Sequence, residues 1–185
     1  IKFLNKCGAD IQYDSKRKII IKGVNFLYPI KHRIIPDRIE AATYAIAALI
    51  TNGKLLIKNV NNDHLENVFN VLRKIGANIK TFKESFIVFR KHQLKPFKIT
   101  TKPYPGFPTD MQAQFMALAT QIKGSSVINE EIFENRFLHV SELMRMGANI
   151  EIKKQKATIK GINNLNGAEV MATDLRASVS LVLAA

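Results

Sequence analysis

The chain has 185 residues, of which 46% are hydrophobic and 23% are charged, with only 9 glycines and 6 prolines. This composition is typical of a folded protein of one domain, or one domain and part of another, and it excludes intrinsic disorder and fibrous repeats. A single cysteine excludes a disulfide framework and a multi-cysteine zinc site, and no apolar run is long enough for a transmembrane helix.

The formal net charge of +13 is a feature that nucleic-acid-binding proteins share. The 20 lysines and 8 arginines, however, are spread along the chain and do not form a basic stripe interleaved with aromatic residues. We therefore expect no specific nucleic-acid partner. A basic surface also suits an enzyme whose substrates carry phosphates and carboxylates.

The first residues read as the second half of a helix that closes at Cys7-Gly8. Cys7 is expected to be a small buried hydrophobic residue and not a nucleophile. The last residues, 175–185, form an apolar helical run without a cap. Both ends suggest a segment of a longer protein.

An internal repeat organises the sequence between these ends. The pattern L-x-x-x-G-A-(D/N)-I occurs three times, at intervals of about seventy residues. The three copies are residues 4–11, 72–79 and 143–150. Each copy predicts a helix ended by glycine, a strand, a turn and a second strand. The second strands are 18–22, 85–89 and 156–160.

A second recurring piece lies between these copies. Residues 37–40 open a helix over 41–50 that precedes a strand over 54–60. Residues 109–112 open a helix over 113–122 that precedes a strand over 125–129, and residues 173–176 open a third such helix. The unit reads helix–strand–helix–strand–strand. Because these helices are apolar on all sides, we predict an α/β fold with helices inside and sheets outside.

The three helix starts share polar residues. Asp37 and Thr109 fit a capping box or its acidic variant, Thr173 is a candidate N-cap, and Asp110 and Asp174 are expected in first turns. Such ends favour anions, but first-turn acids also stabilise helices without any further role. Spacing alone leaves both interpretations open.

Arg136 lies in a polar loop before the helix that contains Leu143. Its guanidinium is suited to clamp a phosphate or carboxylate, or to pair at the surface with one of the nearby glutamates. Those glutamates are Glu130, Glu131 and Glu134. The four histidines show no metal-ligand spacing, so we expect them to be structural or solvated. They are His32, His64, His92 and His139.

Four motifs carry a family resemblance: IPDRIE at 35–40, FPTDMQAQ at 107–114, FENRF at 133–137 and MATDLRAS at 171–178. In wording and order they resemble those of the UDP-N-acetylglucosamine 1-carboxyvinyltransferases. The related enolpyruvyl transferases of the shikimate pathway share the repeat but have different residues in these motifs. The resemblance runs the whole length of the chain.

The resemblance implies an inside-out α/β prism built of repeated βαβαββ units. Residues 1–30 would be the end of the last unit of a first domain. Residues 31–185 would be two units and the start of a third in a second domain. The family's N-terminal Lys-Asn pair, its loop with a reactive cysteine and a late arginine lie outside this chain, and Cys7 does not match the loop cysteine. We therefore expect the segment alone to be inactive.

The resemblance also implies site residues. Asp110 resembles the carboxylate beside the sugar 3-hydroxyl, a candidate general base, and Thr109 would lie against the substrate. Ile132 and Phe133 match the segment that holds the uridine. The residues expected around the enolpyruvate and the phosphate are Arg136, Asp174 and Arg176. Asp37 and Arg38 match a segment at the crossing between domains, where a structural role is equally expected.

The activity that the resemblance implies is transfer of the enolpyruvyl group of phosphoenolpyruvate to the 3-hydroxyl of UDP-N-acetylglucosamine, with release of phosphate. This is the first committed step of peptidoglycan synthesis, a cytoplasmic reaction. The partners would be these two small molecules, without a membrane and without a metal or organic cofactor. The alternatives are the shikimate-pathway enzyme, another protein with the same repeat such as an RNA-end cyclase, and a non-catalytic sugar-nucleotide-binding relative.

Overall fold

The computed structural model describes residues 1–14, 18–161, 164–172 and 174–185, in two compact units, Ile1–Ile35 and Pro36–Ala185. The first unit contains helix α1 (Lys2–Lys6) and the antiparallel strands β1 (Asp10–Asp14) and β2 (Lys18–Lys22). Gly8 adopts φ +100° between α1 and β1, a conformation that glycine adopts at little cost. Cys7 is buried, as expected from the sequence.

The first repeat of the second unit follows the predicted order of elements. It consists of α2 (Arg38–Ile50), β3 (Lys54–Lys58), a 3-10 turn (Asn62–Leu65), α3 (Glu66–Lys74), β4 (Ala77–Phe82) and β5 (Ser85–Arg90). The three strands form an antiparallel sheet in the order β3-β5-β4. Alternate residues of β5, Phe86 and Val88, are fully buried, so one face of this sheet packs onto the interior.

The second repeat is a complete βαβαββ unit. Its elements are β6 (Lys98–Thr100), a 3-10 turn (Thr109–Met111), α4 (Gln112–Thr120), β7 (Gly124–Asn129), α5 (His139–Arg145), β8 (Asn149–Lys153) and β9 (Lys156–Gly161). The sheet order is β6-β7-β9-β8, with β6 parallel to β7 and the other pairs antiparallel. The third repeat is represented by α6 (Leu175–Ala184).

The interior of the second unit is helical. Every residue of α4 is buried, and α4 contacts α2, α6 and the strands β7 and β9. A helix that is apolar on all sides has to be enclosed in this way. The predicted α/β fold with inner helices and outer sheets is confirmed. None of the helices in the described ranges is long and apolar enough to cross a membrane.

The helix starts differ in part from the sequence predictions. Asp37 caps α2 as expected, since its Oδ1 accepts from the backbone N–H groups of Ile39 (2.7 Å) and Glu40 (3.3 Å). The predicted cap by Thr109 is wrong: α4 is preceded by the 3-10 turn, and the Thr109 side chain makes no cap hydrogen bond.

At the start of α6 the candidate cap Thr173 lies outside the described residues. Asp174, which the sequence placed in the first turn, is itself the N-cap. Its Oδ1 accepts from the backbone N–H groups of Arg176 and Ala177, at 2.9 Å each. The short acidic side chain therefore satisfies two N–H groups that the helix itself leaves unpaired.

Candidate active site

A cleft in the second unit is formed where three segments meet: the start of α4, the loop that leads into α5, and the start of α6. Five of the residues singled out from the sequence line it, namely Thr109, Asp110, Arg136, Asp174 and Arg176. The other lining residues are Gln112, Ala113, Asn135, Leu138, His139 and Ala177. The internal repeat explains part of this convergence, because the starts of α4 and α6, which are equivalent positions of successive units, both line the cleft.

Asp110 and Arg136 form a close charged pair in this cleft. Nη2 of Arg136 donates to Oδ1 of Asp110 at 2.8 Å, and both side chains are partly exposed. Of the two roles that the sequence left open for Arg136, the surface pair with Glu130, Glu131 or Glu134 is not what the structure shows. A charge-assisted bond of this length fixes both groups at the edge of the cleft.

Glu130 connects the two sides of this region, which the sequence did not reveal. It follows β7 directly and is only 1% exposed. Its Oε1 accepts from the Thr101 hydroxyl at 2.8 Å and from the backbone N–H groups of Ile132 (3.0 Å) and Phe133 (3.2 Å). Its Oε2 accepts from the Thr109 hydroxyl at 2.8 Å. The hydroxyl predicted to cap α4 is thus engaged by a buried carboxylate.

The segment formed by Ile132 and Phe133 lies beside the cleft and not in its lining. Phe133 is half exposed, and the guanidinium carbon of Arg136 stands 4.9 Å from the centre of its ring. Phe133 and Arg136 also line a neighbouring groove together with residues of the β8–β9 turn, among them Lys154. The structure therefore brings this segment next to Arg136 but leaves its side chains outside the cleft that holds Asp110.

Asp174 and Arg176 occupy the third side. The pKa of Asp174 is lowered, chiefly by the backbone hydrogen bond from Ala177, with a further contribution from the charge of Arg136. Asp174 is therefore a carboxylate at neutral pH. Nη1 of Arg176 is 3.9 Å from Oδ2 of Asp37, a contact between partly exposed side chains. Asp37 itself does not line this cleft; it caps α2 beside it.

His139 lines the cleft, whereas the sequence predicted only a structural or solvated role for it. It is 2% exposed, and burial lowers its pKa to about 4, because charging an enclosed imidazole is unfavourable. Asp174 opposes this shift and Arg136 adds to it. Its Nε2 is buried without a hydrogen-bond partner among the described residues. Its position three residues after Arg136, at the first residue of α5, was the available signal.

The described residues offer no cluster of three or more His, Cys, Asp or Glu side chains that would hold a metal ion. The charged groups of the cleft are two guanidiniums and two carboxylates, and both carboxylates accept hydrogen bonds. Guanidinium groups recognise carboxylate and phosphate oxygens through paired N–H donors.

Comparison with known proteins finds relatives that carry the same enzyme name. The chain is 53% identical over 182 residues to UDP-N-acetylglucosamine 1-carboxyvinyltransferase 1 of Caldanaerobacter subterraneus, with 98% of this chain and 44% of that protein covered. It is 51% identical to UDP-N-acetylglucosamine 1-carboxyvinyltransferase 2 of Mesorhizobium japonicum, again covering 98% and 44%. The chain thus spans less than half the length of these curated relatives.

Solved structures agree on the fold. The enolpyruvyl transferase NikO from Streptomyces tendae superposes with a TM-score of 0.85 at 25% identity, over 99% of this chain and 44% of that one. EPSP synthase from Acinetobacter baumannii superposes with a TM-score of 0.71 at 20% identity, over 99% and 46%. The sequence profile of EPSP synthase (3-phosphoshikimate 1-carboxyvinyltransferase) matches residues 1–185. The chain belongs to the EPSP synthase family of enolpyruvyl transferases.

Proposed function

We propose that the full-length protein containing this chain transfers the enolpyruvyl group of phosphoenolpyruvate to the 3-hydroxyl of UDP-N-acetylglucosamine, with release of phosphate. The support is the identity of about half of all positions to relatives that carry this enzyme's name. The reaction would take place in the cytoplasm, as the first committed step of peptidoglycan synthesis, and would thereby support cell shape and division.

The shikimate-pathway reaction is the second candidate, since the matching family profile is named after that enzyme. It is the weaker one. The curated relatives at 51–53% identity carry the sugar-nucleotide name, whereas the EPSP synthase structure is 20% identical. Residues 107–114 and 133–137 also follow the wording of the sugar-nucleotide enzymes.

Asp110 is assigned as the base for the sugar 3-hydroxyl. Its Oδ1 is held by Arg136, so a substrate hydroxyl at the other carboxylate oxygen would be oriented for proton transfer. Thr109, the preceding residue, lies against the substrate in this arrangement. Its hydroxyl donates to Glu130 and keeps the turn in place.

Arg136, Arg176 and Asp174 are assigned to the enolpyruvate and the phosphate. In the first step the sugar oxygen bonds to C2 of phosphoenolpyruvate while C3 gains a proton, which gives a tetrahedral intermediate. In the second step the C2–O bond to phosphate breaks and C3 loses a proton. Both substrates are anions that repel one another, and the two fixed guanidiniums offset this repulsion. The ionised Asp174 reduces the net positive charge around the guanidiniums.

The segment Ile132–Phe133 is assigned to the uridine. Phe133 offers a half-exposed aromatic face, and the adjoining groove extends the cleft away from Asp110. A nucleotide bound there would direct its sugar toward the carboxylate.

Residues 1–30 would complete a unit of a first domain and residues 31–185 would form most of the second. The rest of the first domain, outside this chain, would close the cleft.

The structural observation that agrees with this sequence support is the Asp110–Arg136 pair at the edge of a cleft shared with Asp174 and Arg176. The test is phosphate release by the full-length protein supplied with phosphoenolpyruvate and one acceptor. We expect release with UDP-N-acetylglucosamine and none with shikimate 3-phosphate. The opposite preference would establish the second candidate, and sugar-nucleotide binding without turnover would identify a non-catalytic relative.

A further inference from the structure

A single buried carboxylate joins the two parts of the site that the proposed function assigns to opposite ends of the acceptor. Glu130 receives four hydrogen bonds, all between 2.8 and 3.2 Å. A buried charge is tolerated only when it is fully hydrogen-bonded, so these four donors are necessary for its placement.

The donors come from both sides of the site. Thr109, bonded to Oε2, immediately precedes Asp110. Ile132 and Phe133, bonded to Oε1 through their backbone N–H groups, begin the loop that carries Arg136. The two carboxylate oxygens of one side chain therefore hold the Asp110 turn and the Arg136 loop at a fixed separation.

We propose that Glu130 is a positioning residue: its carboxylate sets the distance between Asp110 and the Ile132–Phe133 segment, and so matches the site to the span from the sugar hydroxyl to the uridine. This inference rests on the proposed function. Glu130 borders the groove assigned to the uridine but is only 1% exposed, so it acts through the groups that donate to it. A displacement of even an ångström between these groups slows a reaction that depends on orientation.

Thr101 is a hydrogen-bond partner of Glu130 that lies outside the cleft. It is fully buried, follows β6, and does not line the cleft. Its hydroxyl donates to Oε1 of Glu130 at 2.8 Å and accepts from the backbone N–H of Glu131 at 2.9 Å. Changing Thr101 therefore loosens Glu130 without altering any residue assigned to the substrates. Replacing Glu130 itself would leave four donors unpaired and put folding at risk.

The experiment compares Thr101→Val with Thr101→Ser in the full-length protein. Valine keeps the shape and loses the hydroxyl, whereas serine keeps the hydroxyl and loses a methyl group. At saturating phosphoenolpyruvate we expect Thr101→Val to lower kcat/KM for UDP-N-acetylglucosamine by about tenfold or more, and Thr101→Ser to stay within about threefold of wild type. Thr100→Val is the matched control, because the Thr100 hydroxyl accepts from the side-chain amide of Asn129 at 3.1 Å, a bond that does not involve Glu130.

Hydrogen exchange at the amides of Ile132 and Phe133 provides a readout that does not depend on turnover. Thr101→Val should accelerate exchange at both amides, and Thr101→Ser and Thr100→Val should not. If the wild type shows no turnover, the proposed function fails and the exchange comparison alone decides the positioning role. Equal kinetics for the valine and serine variants of an active enzyme, or equal exchange in all variants, overturn the inference.

Discussion

The guanidinium of Arg136 lies 2.8 Å from a carboxylate oxygen of Asp110, across 26 positions of sequence. The pair joins the loop before α5 to the turn that leads into the buried helix α4. In the proposed function, the arginine assigned to the anionic substrate and the candidate base therefore share one side of the cleft. An anion that binds Arg136 will alter the hydrogen bonding of Asp110 at the same time.

Arg136→Lys and Arg176→Lys should each lower kcat/KM of the full-length enzyme by an amount equivalent to about 2–4 kcal/mol of transition-state stabilisation. The reason is that an ammonium group cannot reproduce the planar pair of N–H donors on an oxyanion. Folding should be retained, because both side chains lie at the cleft edge and are partly exposed. Steady-state kinetics and thermal unfolding measure the two effects separately.

Arg73→Lys is the matched control for these variants. Arg73 pairs with Glu66 on the surface of α3, away from the cleft, and a pair of this kind contributes little. Its kinetics should equal those of the wild type. Activity within a few-fold of wild type in the Arg136 and Arg176 variants would mean that these arginines are surface residues and that the site assignment is wrong.

Local patterns in the sequence predicted the repeat and the inner helices. The cap at Asp37 was predictable because capping depends on the residues next to it. Thr109 was predicted as a cap by the same rule, and the prediction failed because Thr109 is the first residue of a 3-10 turn and its hydroxyl is directed to Glu130, 21 residues later. A buried acceptor that is distant in sequence leaves no trace in local spacing.

The partner of Arg136 could not be predicted from the sequence, for a related reason. Three glutamates stand within six residues of Arg136 along the chain, yet the structure pairs it with Asp110, 26 positions away. Glu130 comes directly after β7, beside the end of the parallel strand β6. This position was the one clue to its role. His139 was overlooked because its burial depends on packing against three segments.

The wild-type protein should lose stability as the pH falls from about 6.5 to about 4, through the titration of His139. The folded pKa is lower than the unfolded one, so in this window the unfolded chain binds a proton that the folded chain refuses. Stability is full above the window, declines within it, and is flat below it with respect to this group. The loss is on the order of 3 kcal/mol. Denaturant unfolding across this pH range measures it.

His139→Asn removes the titrating group and should flatten that part of the pH dependence relative to the wild type. His92→Asn, a change at an exposed histidine, should leave the wild-type dependence in place. The same slope in the wild type and in His139→Asn would show that His139 is not the group that destabilises the fold in acid.

The 185-residue chain by itself should not release phosphate from phosphoenolpyruvate in the presence of UDP-N-acetylglucosamine. It spans 44% of the length of its relatives, so the groups expected to close the cleft and to protonate C3 are absent. A phosphate-release assay on the purified chain, beside the full-length protein at equal concentration, checks this. Turnover by the chain alone would contradict the partial-site interpretation.

Asp110 separates a structural role from a catalytic one. It lies in the first turn of the 3-10 segment before α4, where an acid stabilises the helix slightly through its charge. Asparagine keeps the shape and the ability to accept a hydrogen bond from Arg136. What asparagine loses is the capacity to accept a proton at neutral pH. The chain offers a matched comparison in Asp63, an exposed acid in the first turn of the 3-10 segment Asn62–Leu65.

Asp110→Asn in the full-length protein should therefore unfold within about 1 kcal/mol of the wild type, while kcat falls by about 100-fold or more. Binding of UDP-N-acetylglucosamine, measured by calorimetry, should persist, because the uridine segment is untouched. Asp63→Asn should change stability by a similar small amount and leave kcat as it is. A large loss of stability in Asp110→Asn, with activity per folded molecule unchanged, would make Asp110 a first-turn acid without a part in the reaction.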